Sequence, residues 1–227
     1  AEGLFEPLDW TKIGNINDFI PEAYSDCGVG AFVWSMVPTF DRSKLSDGPE
    51  KWSDLWNVDK WPGKRGFRQT AKMTLEIALL ADGVPHDKVY EVLASREGQD
   101  RAFAKLDEIK SSILWWTSGA ESLERLAAGD VVATATFNGR VSAANATGKS
   151  FALIWDGQVF GIDYWGIVKG SPNRENAEKF IAFASTDAAQ AAFPQHIAYG
   201  VTNRAAIRSV EPDIAKDLPT TEANMAS

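Results

Sequence analysis

The sequence predicts an α/β fold in which helices cover both faces of a mixed sheet. Short β-branched or aromatic runs alternate with longer amphipathic runs, and the breaks between them are brief and marked by Pro and Gly, as in Ser46-Asp-Gly-Pro49 and Trp61-Pro-Gly63. The size agrees: 227 residues with 44% apolar content can bury a sizeable core and fit one or two domains. No internal repeat or low-complexity tract interrupts the pattern.

Strands are predicted at 30–34, 113–116, 131–137, 151–155 and 164–168. Helices are predicted at 70–82, 87–93, 100–109, 118–128 and 174–184. The first helix has Met73, Ile77 and Leu80 on one stripe and stops at Gly83, a favourable residue just past a helix end. Ser118-Gly-Ala-Glu121 reads as a capping box, Leu123 and Leu126 supply the apolar face of its helix, and Gly129 ends it. Trp52 and Trp56, four apart on a short helix, read as packing residues. Trp115 and Trp116 fall on opposite faces of a strand, so one is core and the other can border a cleft.

Composition excludes several classes of function. A net charge of −8 without a basic patch argues against nucleic acid, whose phosphates demand a Lys/Arg surface. No run approaches the ~18 apolar residues of a membrane span. The start of the chain has neither the basic residues nor the apolar core of a signal peptide, which suggests a mature or truncated chain. Cys27 reads either as a small buried hydrophobe or as half of a disulfide to a residue upstream of Ala1. His86 and His196 lie in turn-like contexts without an acid partner, no glycine-rich phosphate loop follows a strand, and no spacing suggests a metal. No catalytic residue, cofactor or metal is therefore expected.

The stretch from Ser118 to Asn203 carries the chemistry, because aromatic residues stand beside a cation and an anion where strands end. Phe137-Asn138-Gly139-Arg140 closes one strand, Phe160-Gly-Ile-Asp163-Tyr164-Trp165 leads into another, and Tyr199-Gly200 forms a later turn. Such groups hold small charged molecules.

Further residues join these in a familiar order. Trp52-Ser-Asp-Leu-Trp56, Pro62-Gly63-Lys64-Arg65, Leu75-Glu-Ile-Ala-Leu79, Trp115-Trp116, Phe137-Asn-Gly139, Asp163 to Lys169 and Tyr199-Gly200 are spaced across almost the whole chain. Their order resembles the bacterial extracellular solute-binding proteins of ABC importers, in the branch of the polyamine (spermidine/putrescine) receptors. The resemblance implies a two-lobed type II periplasmic binding protein that captures its solute between the lobes by hinge closure. It also implies a permease and an ATPase as partners and a periplasmic location.

By the same resemblance the lobes are discontinuous, with crossings near 32–37 and 160–165. Residues 1–33 and 164–206 would form the first lobe and 34–163 the second, with 207–227 starting a C-terminal crossing segment. The first lobe would be incomplete, as in an internal fragment, or the chain would be a shorter natural variant.

The candidate ligand residues are Trp34, Thr70, Phe137, Asn138, Arg140, Asp163, Tyr164, Trp165 and Tyr199. Phe137 can stack on an alkyl chain or an ammonium group, or simply end a core strand. Asp163, on a strand expected to be mostly buried, calls for a ligand amine or a structural salt bridge. Tyr199 reads as ligand-facing or as a plain surface tyrosine, and Trp34 and Trp165 mark the two crossings. Arg140 is either a bidentate clamp on a carboxylate or a solvated arginine at a helix start.

Polyamine receptors carry acids after the Pro62-Gly63 segment, where this chain has Thr70 and Met73 with Arg65, Arg68 and Lys72 nearby. A polyamine remains the first expectation, and a zwitterionic ω-amino acid such as γ-aminobutyrate the alternative.

Overall fold

The computed structural model describes residues 3–225. In chain order it contains α1 (Trp10–Ile13), β1 (Tyr24–Ser25), β2 (Gly28–Phe40), β3 (Arg65–Arg68), α2 (Ala71–Ala81) and α3 (Val89–Leu93). There follow α4 (Arg96–Asp107), β4 (Ile113–Trp116), α5 (Gly119–Ala128), β5 (Ala133–Phe137), α6 (Asn138–Ala146) and β6 (Val159–Trp165). The chain closes with α7 (Arg174–Ala184), α8 (Asp187–Ala192), α9 (Arg204–Ser209), α10 (Pro212–Ala215) and α11 (Glu222–Met225). Two compact units result. The first takes residues up to Trp34 together with Phe160–Met225, and the second takes Ser35–Val159. The sequence expectation differs at the edges, since Trp34, 160–163 and 207–225 belong to the first unit. The short C-terminal helices pack in that unit, with Ala206 and Leu218 buried.

In the first unit β1 pairs antiparallel with β2, and β6 also pairs β2. Its core gathers Leu8, Ile13, Phe19, Ala23, Val29, Ile167 and Ile181, with Trp10 and Ile162 packed against it. Each leucine, isoleucine, valine or phenylalanine among them contributes roughly 1.5–3 kcal/mol when fully buried. Lys12 ties the N-terminal segment to α7 by donating to the Glu178 carboxylate at 2.6 Å, and Arg174, which donates to Glu178 within the same helix at 3.0 Å, reaches back to Pro7 O at 3.2 Å.

In the second unit the far half of β2 pairs antiparallel with β5, from Met36↔Phe137 to Phe40↔Ala133. Strand β3 lies parallel to both β5 and β4, in register Arg68↔Trp116 against β4. Three parallel strands therefore end side by side at Arg68, Trp116 and Phe137, and each leads into a helix. That is the carboxyl edge where open α/β sheets bind ligands.

Several elements depart from the sequence expectation. Strand β3 was not predicted, because its basic ends mask a buried interior: Phe67 is fully buried, and Arg65 is satisfied by the carbonyls of Leu55, Gly63 and Asn57. The expected strand at 151–155 reduces to one bridge, Asp41↔Phe151, because the Asn145 amide takes both backbone groups of Phe151. The expected strand at 164–168 ends at Trp165 and begins earlier, at Val159. Helix α4 starts at Arg96, four residues early, where Ser95 accepts from Gly98 N. The expected turn after Phe137 is the first turn of α6.

Helix α2 opens with a break. Met73 has φ 74° and ψ −40° and is the non-glycine residue with positive φ among the described residues. Such a conformation is strained and persists only where its surroundings fix it. Here Met73 is 2% exposed, Thr70 Oγ1 donates to Lys72 O, and Thr74 Oγ1 donates to Arg68 O.

Candidate functional site

Each unit carries its own group of candidate residues. In the first, Phe32 and Trp34 lie two apart on β2 and so share a face, while Val33 turns into the core. Phe32 is stacked on Tyr199 and on Phe193, both at 5.4 Å between ring centres. Trp34 lies across Gly161 of β6, where a side chain would have no room: an ideal Cβ would meet Trp34 Cζ2 at 2.4 Å. This contact puts Trp34 Nε1 3.0 Å from Asp163 Oδ1, to which it donates. A row of rings thus ends in a carboxylate, an arrangement that receives an ammonium group by cation–π attraction and a charge-assisted hydrogen bond.

Asp163 was expected in a buried strand, but it is exposed. On this strand Ile162 is half-buried against the core, while the side chain of Asp163 falls on the opposite face and stays exposed. Among the described residues it pairs with the Trp34 indole rather than with a lysine or arginine. Tyr164, one residue on, points the other way and donates its hydroxyl to Glu22 O. Burial, reinforced by the Glu22 charge, raises its hydroxyl above the usual tyrosine pKa. Trp165 packs edge-on against Phe180 of α7, with centroids 5.1 Å apart. Tyr164 and Trp165 thus have contacts of their own, distinct from the Trp34–Asp163 pair.

In the second unit the group gathers at the strand ends. The Phe137 ring receives the edge of Trp116 at 6.2 Å and carries the Arg68 guanidinium over its face at 5.7 Å. Arg68 Nε and Trp116 Nε1 are both enclosed without an acceptor among the described residues. Asn138 is fully buried, and its Oδ1 accepts from Ser35 N at 2.9 Å, which ties the start of α6 to β2. Arg140 is exposed in the first turn of α6 and lies across Gly119, the first residue of α5. Unlike Arg125, which pairs with Glu121, neither Arg68 nor Arg140 reaches an acid among the described residues. Thr70 is exposed but spends its hydroxyl on the turn before α2, and Met73, its companion in the sequence comparison with polyamine receptors, is buried.

Sequence reasoning missed Phe32, Gly161, Gly119 and the role of Arg68. Alternation along β2 could have found Phe32 beside Trp34, and a glycine inside a strand signals close approach of a neighbour. Nothing local marks Gly119 or Arg68, whose positions depend on strands far apart in sequence.

The profile of the family described as bacterial extracellular solute-binding protein matches residues 1–220. The chain belongs to that family. It is 48% identical over 224 residues to the γ-aminobutyric acid-binding protein of Pseudomonas aeruginosa, covering 99% of this chain and 64% of that protein. It thus spans just under two thirds of that relative's length. Among solved structures it resembles an ABC transporter substrate-binding protein from Bradyrhizobium japonicum, at 38% identity and a TM-score of 0.90, over 99% of this chain and 70% of that one. It also resembles a GABA receptor at 36% identity and a TM-score of 0.86, over 98% and 68% of the two chains. The mixed sheet with its helices matches the type II periplasmic binding proteins. No helix among the described residues is long and apolar enough to cross a membrane.

Proposed function

We propose that this chain captures a small ω-amino acid, with γ-aminobutyrate as the leading candidate, and hands it to an ABC permease and its ATPase from the periplasm without chemical turnover. The observation that carries the reading is Arg140. It sits in the first turn of α6 and over the first residue of α5, so two positive helix ends face a cation. Helix dipoles favour an anion there. A cation held in such a place without an acid partner does little for the fold and much for a carboxylate. The Trp34–Asp163 pair offers the complementary chemistry for the ammonium group. An ω-amino acid carries both groups.

The order of the two ligand readings is reversed from the sequence expectation, which put a polyamine first. The 48% identical relative is a γ-aminobutyric acid-binding protein, and a solved GABA receptor is a structural neighbour. A dication would find a turn hydroxyl at Thr70, a buried thioether at Met73 and two arginines nearby. Those charges repel it. Calorimetric titration of the full chain with γ-aminobutyrate and putrescine tests the reading. Heat of binding for γ-aminobutyrate and none for putrescine at equal concentration is the expected outcome, and the converse overturns it.

A further inference from the structure

We propose that Gly119 is a specificity-determining position: the hydrogen in place of its side chain lets the Arg140 guanidinium settle over the start of α5, where a carboxylate can reach it. An ideal Cβ at Gly119 would lie 2.6 Å from Arg140 Nε, 3.2 Å from Arg140 Cδ and 3.1 Å from Phe137 Cδ2. The first of these is closer than a real contact allows, and the group that gives way is a flexible side chain, not backbone.

The backbone does not ask for glycine here. Gly119 is the first residue of α5, behind the Ser118 cap, and its φ lies outside the left-handed region. Alanine is a better helix former at the same dihedrals. The glycine therefore works against the helix it begins, and Arg140 is the neighbour that benefits. The Phe137 ring edge also lies against this glycine. Gly119 acts through Arg140 and is a positioning residue, not a ligand contact.

This inference rests on Arg140 as the reader of the ligand carboxylate, and the test separates the two claims. Gly119→Ala, Arg140→Ala and the double variant are titrated with γ-aminobutyrate, and all are melted without ligand. Gly119→Ala is expected to lose tenfold or more in affinity while its melting temperature holds or rises. In the Arg140→Ala background the same change is expected to cost less than twofold, because the group it displaces is gone.

If Arg140→Ala binds poorly but Gly119→Ala binds within twofold of the parent, the positioning inference is wrong and the carboxylate reading stands. An equal loss from Gly119→Ala with and without Arg140 also overturns it, since the glycine then acts through Phe137 or the fold. So does a lowered melting temperature in both Gly119→Ala and Gly119→Ser. If Arg140→Ala binds like the parent, or the parent does not bind γ-aminobutyrate, the carboxylate reading fails and takes this inference with it.

Discussion

Trp34 and Arg140 are placed in their units on opposite terms. In the first unit the candidate groups satisfy each other: the Trp34 indole donates to Asp163, and Phe32 lies stacked between Tyr199 and Phe193. In the second unit two guanidiniums stand near one ring and near helix starts, and no acid among the described residues answers them. The first surface is built before a ligand arrives and gains only the surplus of the ligand over the indole. The second is held in an electrostatically unfavourable state that an anion relieves. On the proposed reading, the larger share of binding energy therefore belongs to the arginine side.

That difference ranks the substitutions. Arg140→Ala should give the largest loss, about two decades or more for γ-aminobutyrate, because a clamped carboxylate is left without its partner. For putrescine the same change removes a repelling cation, so its binding should hold level or tighten. The opposed signs are read directly from paired titrations. Equal effects on both ligands would place Arg140 in solvent and erase the contrast.

Asp163→Asn should cost less, roughly 1.5–3 kcal/mol, the worth of a hydrogen bond to a charged group. The smaller figure follows from the Trp34 N–H, which still bonds the amide oxygen that remains. A loss at Asp163 larger than at Arg140 would invert the comparison and make the amine the dominant determinant. Trp34→Phe sharpens the same point from the other side. It keeps a ring over Gly161 but frees Asp163 from its donor, so the expected loss is about 0.5–1.5 kcal/mol from poorer orientation alone. A tighter complex in that variant would mean that the indole competes with the ligand instead of aiming the carboxylate.

What the sequence made legible follows the range of the interactions. Helix 118–128 could be read because its caps and apolar stripe are local: Ser118 accepts from Glu121 N, and Gly129 turns left-handed at φ 87°. Trp115 and Trp116 could be split into exposed and buried faces by alternation alone, and they are 36% and 0% exposed. The α/β class and the family were likewise readable from the order of short motifs.

The site was readable in its parts and not in its terms. Asp163 and Trp34 each stood out, yet their hydrogen bond spans 129 positions and needs Gly161 to make room. Arg140 stood out, but its two helix ends depend on α5 and α6 being brought together by parallel strands. Arg68 counted only as positive charge near Thr70 and Met73, because only the pairing of β3 with β5 sets it over Phe137. The break at Met73 had no local signal at all, since methionine is an ordinary helix former and only tertiary packing forces its φ positive.

The two units also differ in how each holds a carboxylate, and this yields the smallest effect. Glu178 in the first unit lies below its ordinary pKa of 4.5, chiefly through hydrogen bonds from Lys12 and then Arg174, and its side chain is 6% exposed. Glu121 in the second is also lowered, first by Thr117 N and then by Arg125, with a side chain 28% exposed. A carboxylate whose folded pKa is depressed contributes stability that is present above its unfolded pKa and fades as pH falls through the folded value. Lys12, raised above 10.5 by the same Glu178 contact, contributes below 10.5 and loses that contribution as pH climbs through its folded value. Glu178→Gln should therefore lower the melting temperature at neutral pH and converge with the parent as pH drops below the carboxylate range. It should also remove part of the parent's loss at strongly alkaline pH. Glu121→Gln should show only the acid limb, and more weakly, because water already screens its side chain and its lysine-free surroundings have nothing to lose in alkali. Melts recorded across the full pH range check this, and equal acid limbs for the two variants would show that exposure, and not the identity of the partners, was the wrong basis for ranking them.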